Sequence, residues 1–318
     1  MVTLWWGVLG LLIAAYFALA GYDYGIGMLL RGFGGDQRRV LGSLGPFFLA
    51  NEVWLVAAVG VLFGAFPHLE GRVFSGAYVL VVTLLLGLVT FTASVQLRGR
   101  NPGTRGALWS FGIGVGALVT AVSWGLFLGN LVRGVPSGDV LGLFTPYAVL
   151  WGAGFVALFA LQGAVFLTVR APEDLVGRAR RLATSLVAPV LAFLVVATLW
   201  GLVELEGATW RGIPVVAVAF AALAVVFAGL RARRYRVALA AAMVLAAAPV
   251  ALVGLLRFPV VYTSTVDTLT VDQAATSAET FKLLTAFGVP SIVLMIAVQW
   301  VTWRANRGRV DQRSPLHF

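Results

Sequence analysis

Nine runs of predominantly apolar residues follow one another along the chain, each long enough to cross a bilayer. A helix needs about 20 such residues to span the hydrocarbon core. The runs lie near 4–30, 46–66, 73–97, 107–131, 146–169, 183–204, 213–230, 237–256 and 283–303. Hydrophobic residues make up 60% of the chain and charged residues 11%, against roughly 25% charged in soluble domains. The hydrophilic remainder is too short for a second domain. The expected fold is all-α, a single polytopic transmembrane domain over 1–318 with nine transmembrane helices.

The net charge of +10 is unevenly distributed, which argues against a nucleic-acid partner. With nine spans the connections alternate sides. One side carries only Arg72, Arg133, Arg211, Arg257 and Lys282, and the remaining 18 of the 23 basic residues fall on the other. Basic residues concentrate on the cytoplasmic side of membrane proteins. The split therefore predicts the amino terminus outside and the carboxyl terminus in the cytoplasm. The first run begins almost at Met1 with no basic segment before it and no small-residue cleavage site, so it reads as a retained helix. The absence of cysteine rules out disulfides, thiolate-bound metal and covalently attached c-type haem.

Connections are short except Arg257–Lys282, which is rich in Thr, Ser and Asp. Such side chains bond to nearby backbone and favour compact loops, so an ordered external cap is expected there. Glycines recur at four-residue spacing in Gly21/Gly25, Gly60/Gly64, Gly112/Gly116 and Gly125/Gly129, a pattern that lets helix backbones approach closely. Phe17-Ala18-Leu19-Ala20-Gly21 matches Phe159-Ala160-Leu161-Gln162-Gly163 at four of five positions. That match hints at a four-helix repeat in parallel orientation.

Two acid-bearing motifs interrupt the apolar sequence. Gly21-Tyr22-Asp23-Tyr24-Gly25-Ile26-Gly27-Met28-Leu29 closes the first run, and Asn51-Glu52-Val53-Trp54-Leu55 opens the second. An ionisable group at bilayer depth costs about 2.5–3.5 kcal/mol on insertion scales. Asp23 lies about seven residues, roughly 10 Å, from its end of span one, and Asn51 and Glu52 enter span two from the same side. Buried carboxyls at matched depth are the groups that proton relays use, so Asp23, Asn51 and Glu52 form a candidate proton relay. The competing reading is that both acids satisfy backbone groups or an arginine at a helix junction. No catalytic Ser/His/Asp set, metal cluster or phosphate-binding glycine loop is present.

Haem b needs axial His or Met ligands. Histidine occurs only at His68 and His317, and Met28, Met243 and Met295 are the methionines within spans. The expectation is that this chain holds neither haem nor metal. Trp5, Trp6, Trp109, Trp151, Trp210, Trp300 and Trp303 fall near span ends as an interfacial belt, while Trp54, Trp124 and Trp200 lie deeper, where they serve as core packing or as a stacking surface for a quinone ring.

The two acidic motifs, together with Gly45-Pro46 four residues before Asn51, give the sequence a resemblance to subunit II of the cytochrome bd quinol oxidases. Phe66-Pro67, Phe74-Ser75-Gly76-x-Tyr78, Gly129-Asn130-Leu131-x-x-Gly134-Val135-Pro136, Phe258-Pro259 through Lys282, and Gln299-Trp300-x-x-Trp303 are in register with it. The resemblance implies two four-helix bundles plus one extra helix. It implies a multi-pass protein of the bacterial plasma membrane that packs against subunit I. Haem b and haem d are then expected in subunit I, which completes an enzyme oxidising quinol and reducing oxygen to water. Some members of that family hold a quinone in this subunit or add a small single-span subunit. The chain departs from the family pattern at several interior positions. Phe48-Leu49-Ala50 replaces Trp-Asp-Gly, so the family's proton-path acid is Leu49 here. Phe91 and Gln96 replace an Arg and an acid, although Arg98 matches, and Gln162 replaces a His. Two other readings remain open at this point. One is a secondary transporter, which kinks at Pro189, Pro249 and Pro290 would suit; the other is a purely structural membrane partner without chemistry of its own.

Overall fold

A computed structural model of the chain describes residues 1–100, 106–136, 138–204 and 209–309. Arg105, Arg313 and His317 lie outside the described residues. Among the described residues nine helices are long and apolar enough to cross a membrane. They are α1 (Val2–Leu29), α2 (Gln37–Ala65), α4 (Tyr78–Arg100), α5 (Gly106–Arg133), α6 (Pro146–Arg170), α7 (Glu173–Glu204), α8 (Ile213–Arg231), α9 (Tyr235–Leu256) and α11 (Ala278–Ala305). Two short helices, α3 (Pro67–Gly76) and α10 (Val271–Ala274), and a hairpin of β1 (Val260–Thr263) with β2 (Thr268–Thr270) complete the fold.

Several helices are longer than their apolar runs. Helix α2 starts at Gln37 rather than near 46, and α7 starts at Glu173 rather than near 183. Hydropathy marks the part of a helix inside lipid, whereas Gln, Arg and Glu continue a helix readily beyond it. The third run is split: residues 73–76 belong to α3, and α4 begins at Tyr78 after the non-helical Ala77. Pro67 occupies the first turn of α3, where its missing N–H costs nothing.

Helices α1, α2, α4 and α5 form one bundle and α6, α7, α8 and α9 a second, with α11 set against α2. The pairing repeats: α1 packs on α2 and α5 as α6 packs on α7 and α9. Across the boundary α1 meets α6 and α9, and α6 meets α1 and α5. The short sequence match at 17–21 and 159–163 thus marks the contact between the two leading helices, where the Phe17 and Phe159 rings meet edge to face at 5.8 Å. Close approach depends on the glycines. A Cβ on Gly25 would collide with the Phe159 carbonyl, one on Gly116 with the Phe91 backbone, and one on Gly125 with the Trp151 carbonyl. Three of the four spaced glycine pairs therefore seat neighbouring helices of this chain. In the fourth, Gly64 meets Leu284 but Gly60 faces open space.

The Arg257–Lys282 segment is ordered, as its composition implies. Tyr262 and Leu269 pair across the hairpin. Val135 joins the hairpin through its N–H to the Thr263 carbonyl at 2.8 Å, and Thr276 N–H reaches the Ala65 carbonyl at 2.9 Å. Gly134, at φ 118°, turns the chain out of α5 into that contact, a backbone region that glycine alone enters freely. Asn130 fixes the same turn by donating to the carbonyls of Leu126 at 2.8 Å and Leu143 at 2.9 Å. Much of the Gly129–Pro136 motif is thus the attachment of the hairpin to the bundle.

At the opposite end of the helices, the ion pair of Arg39 on α2 with Asp174 on α7 ties the two bundles together. Arg39 meets Asp36 at 2.9 Å and Asp174 at 2.5 Å, and Arg309 meets Glu173 at 3.0 Å. The Arg170 guanidinium, 5.1 Å from the Phe47 ring, binds the carbonyls of Asn306 and Gly308 and so holds the chain beyond α11.

Candidate functional site

The candidate site sits where α1, α2 and α11 meet. Helical phase turns Gly25 toward α6 and leaves Asp23 facing α2. Asp23 is 1% exposed and Asn51 0%. Burying polar groups this completely requires hydrogen bonds in compensation, and they are present. Asn51 Nδ2 donates to Asp23 Oδ2 at 2.9 Å, and lies 2.8 Å from the Tyr22 hydroxyl and 3.1 Å from the Leu19 carbonyl. On its other side, Asn51 Oδ1 accepts from Gln299 Nε2 at 3.1 Å, and Trp54 Nε1 donates to Gln299 Oε1 at 3.2 Å. Asp23 Oδ1 is enclosed with no hydrogen-bond partner among the described residues.

Aromatic rings wall the cluster. Tyr22 stacks on Phe166 with centroids 4.1 Å apart and planes within 11°, and Trp303 closes on the Tyr22 ring edge at 6.4 Å. Tyr24, on the next turn face, shares a 2.6 Å hydrogen bond with Tyr16 and packs on Phe91 at 5.1 Å.

Of the three candidate residues, the structure joins two. Asp23 and Asn51 are bonded, whereas Glu52 turns to α4, where Thr92 Oγ1 donates to its Oε1 at 2.6 Å. A helix turns 100° per residue, so adjacent Asn51 and Glu52 necessarily face different neighbours. Neither acid pairs with an arginine among the described residues, which counts against the reading of both as helix-junction anchors. Tyr22, Thr92 and Gln299 belong to these networks without having been singled out for them by sequence. The Gln299-Trp300-x-x-Trp303 motif carried the available signal, since an amide inside an apolar span needs a partner.

The substituted positions have structural uses. Gln162 Nε2 donates to the Ala18 carbonyl at 2.7 Å and lies 3.3 Å from that of Phe17, which binds α6 to α1. Phe91 fills the space under Tyr24 and Phe48. Leu49 is 56% exposed and points away from Asp23. The deeper tryptophans pack: Trp124 meets Phe17 edge-on at 4.9 Å, and Trp200 meets Tyr147 at 5.8 Å. Inside the second bundle lies a cavity of about 360 Å³, lined by apolar side chains including Trp151, Phe193, Leu245 and Pro249. Among the described residues no three His, Asp or Glu side chains converge as a metal site would need.

The family model for cytochrome bd terminal oxidase subunit II matches residues 1–306. The chain belongs to that family. It is 30% identical over 219 residues to cytochrome bd-I ubiquinol oxidase subunit 2 of Escherichia coli K12, a match covering 64% of this chain and 58% of that one. It is 27% identical to cytochrome bd ubiquinol oxidase subunit 2 of Bacillus subtilis across 99% of this chain and 98% of the other. The fold is shared with a chain of the bd oxidase from Geobacillus thermodenitrificans, at a TM-score of 0.77 and 19% identity over 96% of this chain and 98% of that one. For this subunit II the Asp23 and Asn51 motifs are parts of one buried cluster rather than two separate signatures.

Proposed function

We propose that the chain is the haem-free subunit II of a quinol oxidase complex, packing against and stabilising a haem-bearing subunit I while that complex oxidises quinol and reduces oxygen to water. Family membership over residues 1–306 supports the assignment. Among the described residues, the histidine present does not suit an axial haem site. Gln162 stands at the position of a family histidine with its amide committed to α1 carbonyls, and His68 is exposed at the start of α3. Haem b and haem d are accordingly assigned to subunit I.

The second element of the proposal is a proton-holding group at Asp23. The observation that carries it is geometric: an enclosed carboxyl with one oxygen bound to Asn51 and the other without a partner among the described residues. Asn51 fixes the carboxyl's orientation, and Gln299 fixes Asn51. Glu52 is a separate acid on the far side of α2. With the amino terminus outside and the carboxyl terminus in the cytoplasm, as the arginine distribution supports, Asp23 lies in the half of the membrane nearer the cytoplasm. Protons drawn from that side would make turnover electrogenic in a multi-pass protein of the bacterial plasma membrane.

The test is a mild-detergent purification of the complex, a reduced-minus-oxidised spectrum, and oxidase turnover against pH for Asp23→Asn and Glu52→Gln. Co-purification of a second polytopic chain with b- and d-type bands is expected, with turnover lowered and its pH profile displaced in Asp23→Asn. Identical profiles in both variants would leave a purely structural subunit, a reading that the neutral Leu49, Phe91 and Gln162 favour. The transporter reading is weakened because α7, α9 and α11 continue through Pro189, Pro249 and Pro290.

A further inference from the structure

Between Asp23 and the arginine-rich end of the helices the side chains fall into layers. Asp23, Asn51 and Gln299 make the first, joined by their hydrogen bonds. An aromatic layer follows one turn nearer that end, with Phe47 four residues before Asn51 and Trp303 four residues after Gln299. Tyr22 and Phe166 complete it. Tyr22 stacks on Phe166 at 4.1 Å, Phe47 meets Trp303 at 4.7 Å and Phe166 at 5.9 Å, and Trp303 meets Phe166 at 6.2 Å. Beyond the rings lies the Arg170 guanidinium, one turn past Phe166 on α6 and 5.1 Å from the Phe47 ring.

Arg170 is 5% exposed, yet no carboxylate pairs with it among the described residues. It donates to the carbonyls of Asn306 and Gly308, and its Nε is enclosed without a partner among the described residues. Burying a charge is costly unless it is paired and hydrogen-bonded. Two carbonyls and a ring face compensate that cost only in part, so the closed arrangement is one that can be released. The segment supplying those carbonyls follows α11, and Arg309 also ties it, to the Ala171 carbonyl at 3.0 Å and to Glu173 at 3.0 Å. Helix α11 has only Phe281 and Gln299 buried among its described positions. Tyr22, Phe47 and Phe166 are fully buried, whereas Trp303 is half-buried on this lightly held helix. Trp303 is the movable wall.

We infer that Arg170 is a positioning residue, a latch that holds Trp303 and the chain beyond α11 over the entrance to Asp23. Water occupies a buried site only where it finds both room and polar partners, and rings in contact leave it little of either. Release of the Asn306 and Gly308 carbonyls frees the end of α11, and Trp303 swings outward. Water then reaches Asn51 and the unpartnered oxygen of Asp23. The inference rests on the proton-holding role proposed above for Asp23 and adds how that carboxyl is reached and closed off.

The test is carboxyl labelling of the purified complex with a water-soluble carbodiimide and glycine ethyl ester, read by peptide mass at Asp23 and Glu52. Arg170→Gln should raise labelling of Asp23 roughly three- to tenfold, the range expected for losing one or two hydrogen bonds in a membrane protein, and leave Glu52 unchanged. Arg170→Lys keeps the charge and a donor, and should label Asp23 clearly more slowly than Arg170→Gln. Trp303→Ala should raise Asp23 labelling with Arg170 in place, which keeps the test decisive if Arg170→Gln does not assemble. Wild-type labelling of Asp23 in Arg170→Gln or in Trp303→Ala overturns the latch. An equal rise at Glu52 does so too, since it marks general loosening, as does Arg170→Lys labelling as fast as Arg170→Gln. Turnover against pH separates the two proposals. A displaced profile in Asp23→Asn with unchanged labelling in the latch variants removes the latch alone, whereas a wild-type profile in Asp23→Asn removes the role of Asp23 and the latch with it.

Discussion

Trp54 on the second span and Gln299 on the last are joined by a 3.2 Å hydrogen bond across 245 positions of sequence. It is the start of a chain of polar contacts running through Asn51 to Asp23. Helix α11 depends on it, because Phe281 and Gln299 are the buried residues among its described positions. Gln299→Leu removes both contacts that its amide makes. Interhelical hydrogen bonds in membranes contribute about 0.6 kcal/mol each, with a maximum near 1.7. The variant should lose about 1–2 kcal/mol, read by thermal unfolding in detergent, with faster amide exchange confined to α11.

Asn51→Leu should cost more, because the same amide holds Asp23. Leaving a buried acceptor unsatisfied costs about 1–3 kcal/mol on its own. Thermal unfolding should place Asn51→Leu clearly below Gln299→Leu. The double variant should fall short of the sum, since both belong to one network.

Gly25→Ala and Gly60→Ala separate a glycine that seats a neighbouring helix from one that meets nothing in the chain. At Gly25 the added methyl meets the Phe159 backbone, so α1 and α6 must part. A loss of about 1–3 kcal/mol or more is expected from such overpacking, visible as poor yield of folded protein. At Gly60 nothing in this chain is displaced. The variant should unfold as wild type does.

The hairpin carries an alkaline limit. Burial pushes the Tyr262 hydroxyl up from its ordinary value of 10.0, with Arg72 opposing and Asp267 adding to the shift. A raised value in the folded state means the neutral phenol is favoured there. The contribution is thus fully present below pH 10 and is lost as pH rises through the higher folded value. Wild type should show a tyrosine absorbing later than pH 10 that is missing in Tyr262→Phe, measured as an ultraviolet difference titration. Arg72 and Asp267 form an exposed ion pair beside it. Asp267→Asn should change stability by less than about 1 kcal/mol, and the change should vanish at high salt.

How much of this was legible beforehand varies with the range of the interaction. The nine spans were readable because a bilayer demands about 20 apolar residues whatever the neighbours are. Their true ends were not, because Gln37–Arg39 and Glu173–Arg181 extend helices past the lipid without adding hydropathy. The glycine pairs announced close packing but not the partner. Gly25 serves α6, Gly116 serves α4 and Gly60 serves nothing in the chain. The acid motifs marked Asp23, Asn51 and Glu52 as a group, and the fold divided them, since neighbouring residues on a helix cannot share a face.

Sequence alone determined the all-α membrane class, the order of its nine spans and the family, because length, hydropathy and motif spacing are properties of the chain itself. Tertiary structure decided that Asp23 belongs with Asn51 and Gln299, that Glu52 belongs with Thr92 at a half-open face, and that Leu49 points away from both. Those assignments depend on the rotation of each helix about its axis, which packing against the other helices sets.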